Sequence, residues 1–338
     1  MNTSSSRAVK LHRRAVIIDG HADSICRYLS DPEGFFGDKR QGHLDSRRLR
    51  ETGQNVQIMA AYTPPEQQDL AALQYALDFL HAINAVLDSP SNARLRPPYR
   101  RILSARDLSD ACRPGAFGFL LFLEGASPLR GSMKNLDLFH RLGIRGITLT
   151  HNHDNEAARG CFAEGEGRGL TPFGKELVGE MGRRGMIIDL AHSNESAFWD
   201  TMALARRPVI DSHTGLRAFW DHPRNLRDDQ LDAIARTGGV ACIDFLPDHL
   251  AGPRAEPKTS VGIDQVVRVI SRAVERAGID HVGLGADWDG FEETIDGLED
   301  CAQLPRLTEA LLTEGFAEGD VAKVLGGNLL RALSAGME

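Results

Sequence analysis

Five side chains of the kind that bind metals lie at or just beyond the ends of short apolar segments in this sequence. His21 and Asp23 follow one such segment, Glu124 follows another, and His192 and His213 follow two more. Imidazole and carboxylate groups are the ligands that zinc and similar divalent ions take in proteins. A single His at a strand end is more often a hydrogen-bonded structural residue than a ligand, but five such residues at corresponding positions favour a metal site over coincidence.

The number of these candidates suits a pair of metal ions better than a single ion. Three His and two carboxylates are too many for one tetrahedral structural site, and they suit two ions about 3.5–4 Å apart that share a bridging carboxylate. Such a pair lowers the pKa of a shared water to about 7 and polarises a carbonyl oxygen, as hydrolysis of an amide requires. Asp287 is a candidate to carry the proton to the leaving amine, and His151 is placed to hydrogen-bond the developing oxyanion.

Short apolar segments alternate with segments of helical periodicity along most of the chain. We predict strands over 15–19, 56–62, 117–123, 146–150, 186–190, 208–210, 239–245 and 282–286. We predict helices over 69–87, 134–142, 172–184, 195–206, 228–236, 263–277, 304–314 and 318–333. Eight strands that alternate with helices favour a parallel sheet closed into a (β/α)8 barrel (TIM barrel), here a single domain over 1–338. Such a barrel collects the candidate residues at the carboxyl ends of its strands.

The composition argues against several classes of partner. The 338 residues include 39 Lys and Arg against 47 Asp and Glu, and the formal charge of −8 disfavours binding to nucleic acid or to an anionic membrane surface. The sequence shows no apolar run of about 18 residues and no signal-peptide core, so we expect a cytoplasmic protein. The five cysteines are widely spaced without a C-x-x-C pair, which favours free thiols over disulfides.

Several strings of the sequence together resemble one known family. They are VIIDGHAD, FLLFLEGA, ITLTHNHDN, GLTPFGKELV, GMIIDLAHS, DSHTGLRAFWDHPRNLRDDQL, VGLGADWDG and GGNLLRAL. In this order and approximate spacing they resemble the renal (membrane) dipeptidase family, peptidase family M19 of the amidohydrolase superfamily, from about Val16 to Leu333. The resemblance implies a dipeptidase that hydrolyses dipeptides, including those with a D-residue at the C-terminal position, by attack of a hydroxide that bridges two divalent ions, with zinc expected.

The resemblance also implies a role for each matching residue. The implied metal ligands are His21 and Asp23 for one ion, His192 and His213 for the other, and Glu124 as the bridge. Asp287 matches the acid/base that passes a proton to the leaving amine, and His151 matches the residue that contacts the substrate carbonyl. Arg224 matches the residue that holds the C-terminal carboxylate of the substrate, a task that suits the two-pronged guanidinium group.

The chain departs from the family pattern at two places. Ala22 replaces the Asn that commonly lies between the first two ligands, which puts the support of the metal in doubt. Asp244-Phe245 stands where the family usually has Asn-Phe. We expect Asp244 to line the substrate pocket, where it would favour a cationic or amine-bearing substrate or pair with an Arg.

Other functions remain open at this stage. A lactonase, deacetylase or deaminase of the same superfamily, acting on a small carboxylated substrate, would keep the metals and break a different bond. Arg224 argues for the dipeptidase, because substrates without a carboxylate do not need it. A third hypothesis is a barrel without catalytic activity that serves as a binding or scaffold protein. The presence of a metal-binding residue at every ligand position argues against it. Homodimers are frequent for enzymes of this type, so a homodimer is a further expectation.

Overall fold

The computed structural model describes residues 6–37, 42–63, 70–163, 167, 169–252 and 261–338. Its parallel strands are β1 (Ile18–Ala22), β2 (Val56–Tyr62), β3 (Arg100–Arg101), β4 (Gly118–Glu124), β5 (Ile144–Thr148), β6 (Ile187–Asp189), β7 (Ile210–Thr214), β8 (Val240–Ile243) and β9 (Val282–Leu284). Their order is β2-β1-β9-β8-β7-β6-β5-β4-β3, and β2 also pairs with β4 along its whole length. The sheet is therefore closed, and the predicted eight-stranded barrel is confirmed.

The short strand β3 is not a ninth strand of the barrel. It pairs only with the first two residues of β4, Gly118 and Phe119, and β5 takes over the same edge of β4 from Leu121 onwards. The eight strands that close the barrel are thus β1, β2 and β4 to β9.

Two strands extend further at their carboxyl ends than their apolar residues indicate. The first strand ends at Ala22 and the seventh at Thr214, so that His21 and His213 lie within strands rather than after them. The reason is a buried carboxylate: Oδ1 of Asp19 accepts hydrogen bonds from the backbone N of His21 and of Ala286, each at 3.1 Å. Polar contacts of this kind extend the sheet where apolar periodicity ends.

Helices follow most strands and cover the outside of the barrel. They are α1 (Ser6–Arg14), α2 (Ser46–Thr52), α3 (Leu70–Asp88), α4 (Pro90–Arg94), α5 (Ala105–Ala111), α6 (Met133–Arg141), α7 (Pro172–Arg183), α8 (Glu195–Leu204), α9 (Asp228–Arg236), α10 (Pro247–Ala251), α11 (Ile263–Ala277), α12 (Leu304–Glu314), α13 (Glu318–Ala322) and α14 (Asn328–Met337). The helices α1, α2, α4, α5 and α10 are absent from the sequence-based prediction, because most of them are too short for a periodic pattern to develop.

The predicted helix over 318–333 is wrong in one respect, because it is broken between α13 and α14. A wide turn, Lys323–Gly327, separates the two helices. A Cβ atom on Gly326 would lie 2.6 Å from the backbone N of Ile18 and from the backbone O of Val16. The glycine therefore lets the chain pack directly against the start of β1.

One helical stretch of the described chain, Leu70–Arg94, is long and apolar enough to cross a membrane by length and hydropathy alone. Gln74, Asp78 and other polar residues interrupt this stretch, so the sequence contains no continuous apolar run of about 18 residues there. Phe79 and Ile83 of α3 are fully buried in the core of the protein. The core helix of a globular protein passes the same hydropathy test, so the stretch is weak evidence for a membrane span.

Acid should destabilise the fold through His12 on α1. This side chain is buried, and its Nδ1 lies 2.7 Å from Oγ1 of Thr308 on α12. Burial lowers the pKa of His12 to about 4 from the ordinary 6.5. Below about pH 6.5 the unfolded chain therefore binds a proton that the folded protein excludes, and stability falls as the pH drops toward 4. Between about pH 7 and pH 4.5 this group should remove about 2–3 kcal/mol from the free energy of unfolding.

Urea unfolding of the chelator-treated protein at both pH values measures this effect. The His12→Gln variant lacks the titrating group, so its free energy of unfolding relative to wild type should rise by about 2–3 kcal/mol on acidification. His81→Gln, which changes an exposed residue of α3, serves as the control and should track the wild type. A difference between His12→Gln and wild type that does not change with pH would contradict this prediction.

Candidate active site

The barrel brings the five predicted metal ligands together at the carboxyl ends of its strands. Glu124, the last residue of β4, lies at the centre of the cluster. Its Oε1 is 3.5 Å from Nε2 of His21, 3.0 Å from Nε2 of His192 and 3.5 Å from Nε2 of His213. Oδ1 of Asp23 lies 3.8 Å from Nε2 of His21. Four parallel strands therefore deliver these side chains to one point, as the barrel geometry predicts.

Two groups within the cluster have the composition of separate metal sites. One consists of His21, Asp23 and Glu124, and the other of Glu124, His192 and His213; in each group the ligand atoms lie within 4.8 Å of one another. Glu124 belongs to both. A third possible group joins Asp287 to His21 and His213.

Strained backbone conformations aim two of the side chains inward. His192 follows β6 and Asp287 follows β9, and each has a φ of 61°, in the left-handed region that non-glycine residues rarely adopt. Such a conformation costs on the order of 1–3 kcal/mol and persists only where the surrounding structure imposes it. Gly290 leaves space for one of these side chains, because a Cβ there would clash with Oδ1 of Asp287.

The hydrogen bonds around the imidazoles fit metal coordination. The Nδ1–H of His192 donates to Oδ1 of Asn152 at 2.8 Å, so the lone pair of its Nε2 points into the cluster. Nδ1 of His213 lies 2.8 Å from Oγ of Ser212. Burial lowers the pKa of both imidazoles well below the ordinary value, with Arg224 and neighbouring His residues contributing. Both rings are therefore neutral, which is the form that binds metals.

Other atoms of the cluster lack a partner within the described chain. Nε2 of His21 and Oδ1 of Asp23 are buried without a hydrogen bond. Burial acts to lower the pKa of His21, but the nearby carboxylates, Glu124 foremost, outweigh it and raise the pKa to about 10. The negative charge that holds a proton on this ring would equally attract a cation. Orphaned donor atoms, neutral imidazoles and excess negative charge together fit divalent metal ions.

Asp287 has the properties of a group that exchanges protons near neutral pH. Its Oδ1 lies 3.8 Å from Nε2 of His21. Burial raises the pKa of Asp287 to about 8, and Asp23 acts in the same direction while His21 opposes it. A carboxyl group whose pKa lies near neutrality can both accept and return a proton.

His151 lies beside the cluster on the wall of the cavity. Its ring makes an edge contact with Tyr62 at a centroid distance of 4.8 Å and lies 4.3 Å from the ring of His192. Burial, with Arg224 as the second cause, lowers the pKa of His151 to about 3. The ring is therefore neutral and can donate one N–H to an oxygen that gains charge.

Arg224 is a buried cation without a carboxylate partner among the described residues. The side chain is 5% exposed, and its Nη2 donates to the backbone O of His213 at 2.9 Å. It lines the cavity close to the metal cluster. A buried guanidinium group that faces a cavity without a carboxylate partner among the described residues favours an anionic ligand.

Asp244 lies behind the cavity wall rather than on it. The residue is fully buried, and its Oδ2 accepts a hydrogen bond from Nδ1 of His249 at 2.6 Å. His249, not Asp244, belongs to the described lining of the cavity. The expectation that Asp244 itself lines the pocket is therefore wrong: β8 ends at Ile243, and the side chain that follows turns toward α10.

The cavity above the cluster has a volume of about 620 Å³. Several of its lining residues are absent from the sequence-based set: Cys26, Tyr62, Tyr75, Phe162, His222 and His249. Phe162 and His222 belong to loops, whose sequences carry no periodic signal, and the others lie on elements whose pattern does not show which side chains face a cavity. His222 could have been found from its spacing, because it lies two residues before Arg224 in the same HPRN string.

Asn152, which sequence reasoning also missed, should control metal affinity through His192. Asn152→Ala removes the acceptor that fixes the tautomer and orientation of this ligand, and loss of such support typically lowers metal affinity about 10–100-fold. Competition with a chromophoric zinc chelator measures the change. Asn152→Asp keeps an acceptor oxygen and should retain wild-type affinity or exceed it. Equal affinity of the alanine variant and the wild type would show that the hydrogen bond does not position His192.

A closed (β/α)8 barrel with buried His and carboxylate side chains at the carboxyl ends of its strands defines a class of metal-dependent barrel enzymes. Residues 5–337 match the family model described as membrane dipeptidase (peptidase family M19). The chain therefore belongs to peptidase family M19 and is a metallo-dipeptidase of that family, which confirms the resemblance found in its sequence.

Known relatives cover most of the chain. Dipeptidase tcpJ of Claviceps purpurea is 31% identical over 301 residues, which are 86% of this chain and 69% of that protein. A metallopeptidase from Rhodobacter sphaeroides, solved with a phosphinate mimic of the dipeptide L-Ala-D-Ala, has a TM-score of 0.87 at 26% identity and covers 95% of this chain and 99% of its own. The dipeptidase AC of family M19 has a TM-score of 0.86 at 27% identity, with 96% and 99% covered.

Proposed function

We propose that this protein hydrolyses dipeptides, including those with a D-residue at the C-terminal position, with two zinc ions in the His/carboxylate cluster. The observation that carries the proposal of two ions is the position of Glu124, which belongs to both three-residue ligand groups. A carboxylate shared in this way is the usual bridge of a two-metal site. When bound, the two ions supply Lewis acidity at the scissile carbonyl and a water molecule that ionises near neutral pH.

Three residues of this chain then transfer the proton, stabilise the oxyanion and bind the substrate. Asp287 accepts the proton of the attacking water and returns it to the nitrogen of the leaving amine, so that two amino acids are released and no net proton is consumed on the enzyme. The neutral ring of His151 donates a hydrogen bond to the carbonyl oxygen as it becomes an oxyanion. Arg224 holds the C-terminal carboxylate of the substrate and fixes its register against the cluster.

Arg224 favours the dipeptidase over other hydrolytic reactions of the superfamily. A substrate that lacks a carboxylate would leave the buried guanidinium group unpaired at a cost in binding free energy. The relative from Rhodobacter sphaeroides that binds a mimic of L-Ala-D-Ala supports a C-terminal D-residue for this chain as well.

A panel of L-L and L-D dipeptides, assayed for release of free amino acids with and without a chelator, tests the proposal. We expect hydrolysis of both series by the zinc-loaded protein, loss of hydrolysis with chelator and recovery when zinc is restored. C-terminal amides of the same dipeptides should be poor substrates. Hydrolysis of a lactone, acetamide or amino-heterocycle without hydrolysis of any dipeptide would contradict the proposal.

A further inference from the structure

A buried carboxylate and an imidazole form a pair on the cavity wall beside Arg224. Asp244 is fully buried, its Oδ2 lies 2.6 Å from Nδ1 of His249, and its Oδ1 has no hydrogen-bond partner within the described chain. His249 lines the cavity from the first turn of α10. Neither residue is among the metal ligands or the groups assigned to the chemical steps above.

The carboxylate determines what the imidazole offers to the cavity. A carboxylate only accepts hydrogen bonds, so Nδ1 of His249 carries the proton that it donates to Asp244. Nε2 lies on the opposite edge of the ring and has no hydrogen-bond partner within the described chain. A ring whose single proton is on Nδ1 holds its lone pair on Nε2. The pair thus offers an acceptor to the cavity, with the carboxylate of Asp244 directly behind it.

This acceptor lies close to the loop that carries Arg224, the residue proposed to bind the C-terminal carboxylate of the substrate. The backbone O of His249 accepts a hydrogen bond from Nδ2 of Asn225 at 2.8 Å, which ties α10 to the loop that carries Arg224. The ring of His222 lies 5.1 Å from the ring of His249, and its Nδ1 accepts a hydrogen bond from the backbone N of Arg224 at 3.3 Å. Arg224, His222 and His249 line the same cavity, so a substrate whose C-terminal carboxylate binds Arg224 can direct the side chain of that same residue toward His249.

The charges on this wall select the kind of side chain that fits. Arg224 is the only cationic Lys or Arg in the described lining, and the terminal carboxylate of the substrate occupies it. Asp248, which is exposed and also lines the cavity, adds a second negative charge next to His249. The part of the cavity wall that remains for the substrate side chain carries hydrogen-bond acceptors and excess negative charge. It attracts a hydrogen-bond donor and repels a carboxylate.

We infer that the Asp244–His249 pair is a specificity element that accepts a hydrogen bond from an amine on the side chain of the C-terminal substrate residue. The inference rests on the proposed dipeptidase function and names the substrate class: dipeptides that end in lysine, ornithine or a similar amine-bearing residue. A hydrogen bond to a charged group within a cavity corresponds to a preference of about tenfold or more over an apolar side chain of the same length.

Three substrates that differ only at the C-terminal side chain test the inference. The kcat/KM of the zinc-loaded enzyme is compared for L-Ala-Lys, L-Ala-norleucine and L-Ala-Glu, with both enantiomers of the C-terminal residue. We expect lysine to exceed norleucine by about tenfold or more and glutamate to be the poorest. Equal values for lysine and norleucine, or a preference for glutamate, would overturn the inference while leaving the dipeptidase function intact. Failure to cleave any dipeptide would overturn the dipeptidase function itself.

Variants separate a specificity role from a structural one. His249→Phe and His249→Gln should bring the ratio of lysine to norleucine near one, and Asp244→Asn should lower it several-fold while the norleucine substrate is still cleaved. Asp221→Asn is the matched control: it removes a carboxylate that is 86% exposed and absent from the described cavity lining, and it should change the ratio by less than about twofold. A uniform loss on all three substrates in the Asp244 and His249 variants, with the ratio unchanged, would show that the pair only supports the fold and would refute the inference.

Discussion

Replacing Asp287 with Asn should lower kcat for dipeptides by about 10³- to 10⁴-fold, on the scale of general acid/base catalysis. The amide keeps the size of the carboxyl group, but it can neither accept the proton of the attacking water nor return it to the leaving amine. Burial raises the pKa of Asp287 to about 8, so the group that the substitution removes is one that exchanges protons near neutral pH. Metal content should remain near the wild-type value, because His21, Asp23, Glu124 and two further imidazoles are untouched.

Single-turnover kinetics and elemental analysis of the same preparation separate these two effects. The control is Asp221→Asn, which changes a carboxylate that is 86% exposed on the loop before Arg224. It should keep both activity and metal. If Asp287→Asn turned over dipeptides at the wild-type rate, the proton-transfer role of Asp287 would have to be abandoned. A loss of activity that parallels a loss of metal would instead make Asp287 a ligand.

Replacing Arg224 with Ala should raise KM for dipeptides by about 10²- to 10³-fold, since the variant loses a charge-assisted contact with the terminal carboxylate in a buried site. The side chain is anchored by the backbone O of His213, so it is already oriented before the substrate binds. C-terminally amidated dipeptides make no such ion pair, and their kcat/KM should fall far less.

Comparison of free and amidated dipeptides makes the Arg224 test specific. Arg224→Lys keeps the charge without the planar fork and should fall between the wild type and the alanine variant. Equal losses of kcat/KM on free and amidated substrates would argue that Arg224 supports the cavity wall or His213 and does not recognise a carboxylate.

Apolar periodicity was enough to predict the barrel and to place its strands within a few residues. The boundaries fail where the sheet is extended by polar contacts, as at His21 and His213, whose strands run on because buried carboxylates such as Asp19 bind backbone N–H groups. The break between α13 and α14 was missed for a related reason. The close approach of Gly326 to the start of β1 is a tertiary contact, and no local pattern reveals it.

The candidate metal ligands were predictable because each lies at a strand end, where the fold itself provides the convergence. The residues of the cavity wall were harder to predict from the sequence. Arg224 entered through its match to a family motif, since a lone Arg in a loop has no distinctive spacing. His249 and Asn152 were missed because their importance lies in the partners they contact, Asp244 and His192, which are distant or unremarkable in sequence. The prediction that Asp244 lines the pocket was wrong, because its side chain contacts His249 and not the cavity.

The central claim is that the His/carboxylate cluster binds two divalent ions and that dipeptide hydrolysis depends on them. Titration of the chelator-treated protein with zinc, with bound metal and hydrolysis of L-Ala-D-Ala measured on the same samples, tests it most directly. We expect activity to be absent at the start and to reach its maximum at about two equivalents of bound zinc, as a bridged two-metal site requires. Full activity in protein that elemental analysis shows to be free of divalent metal would contradict the account, as would metal binding at the cluster without hydrolysis of any dipeptide.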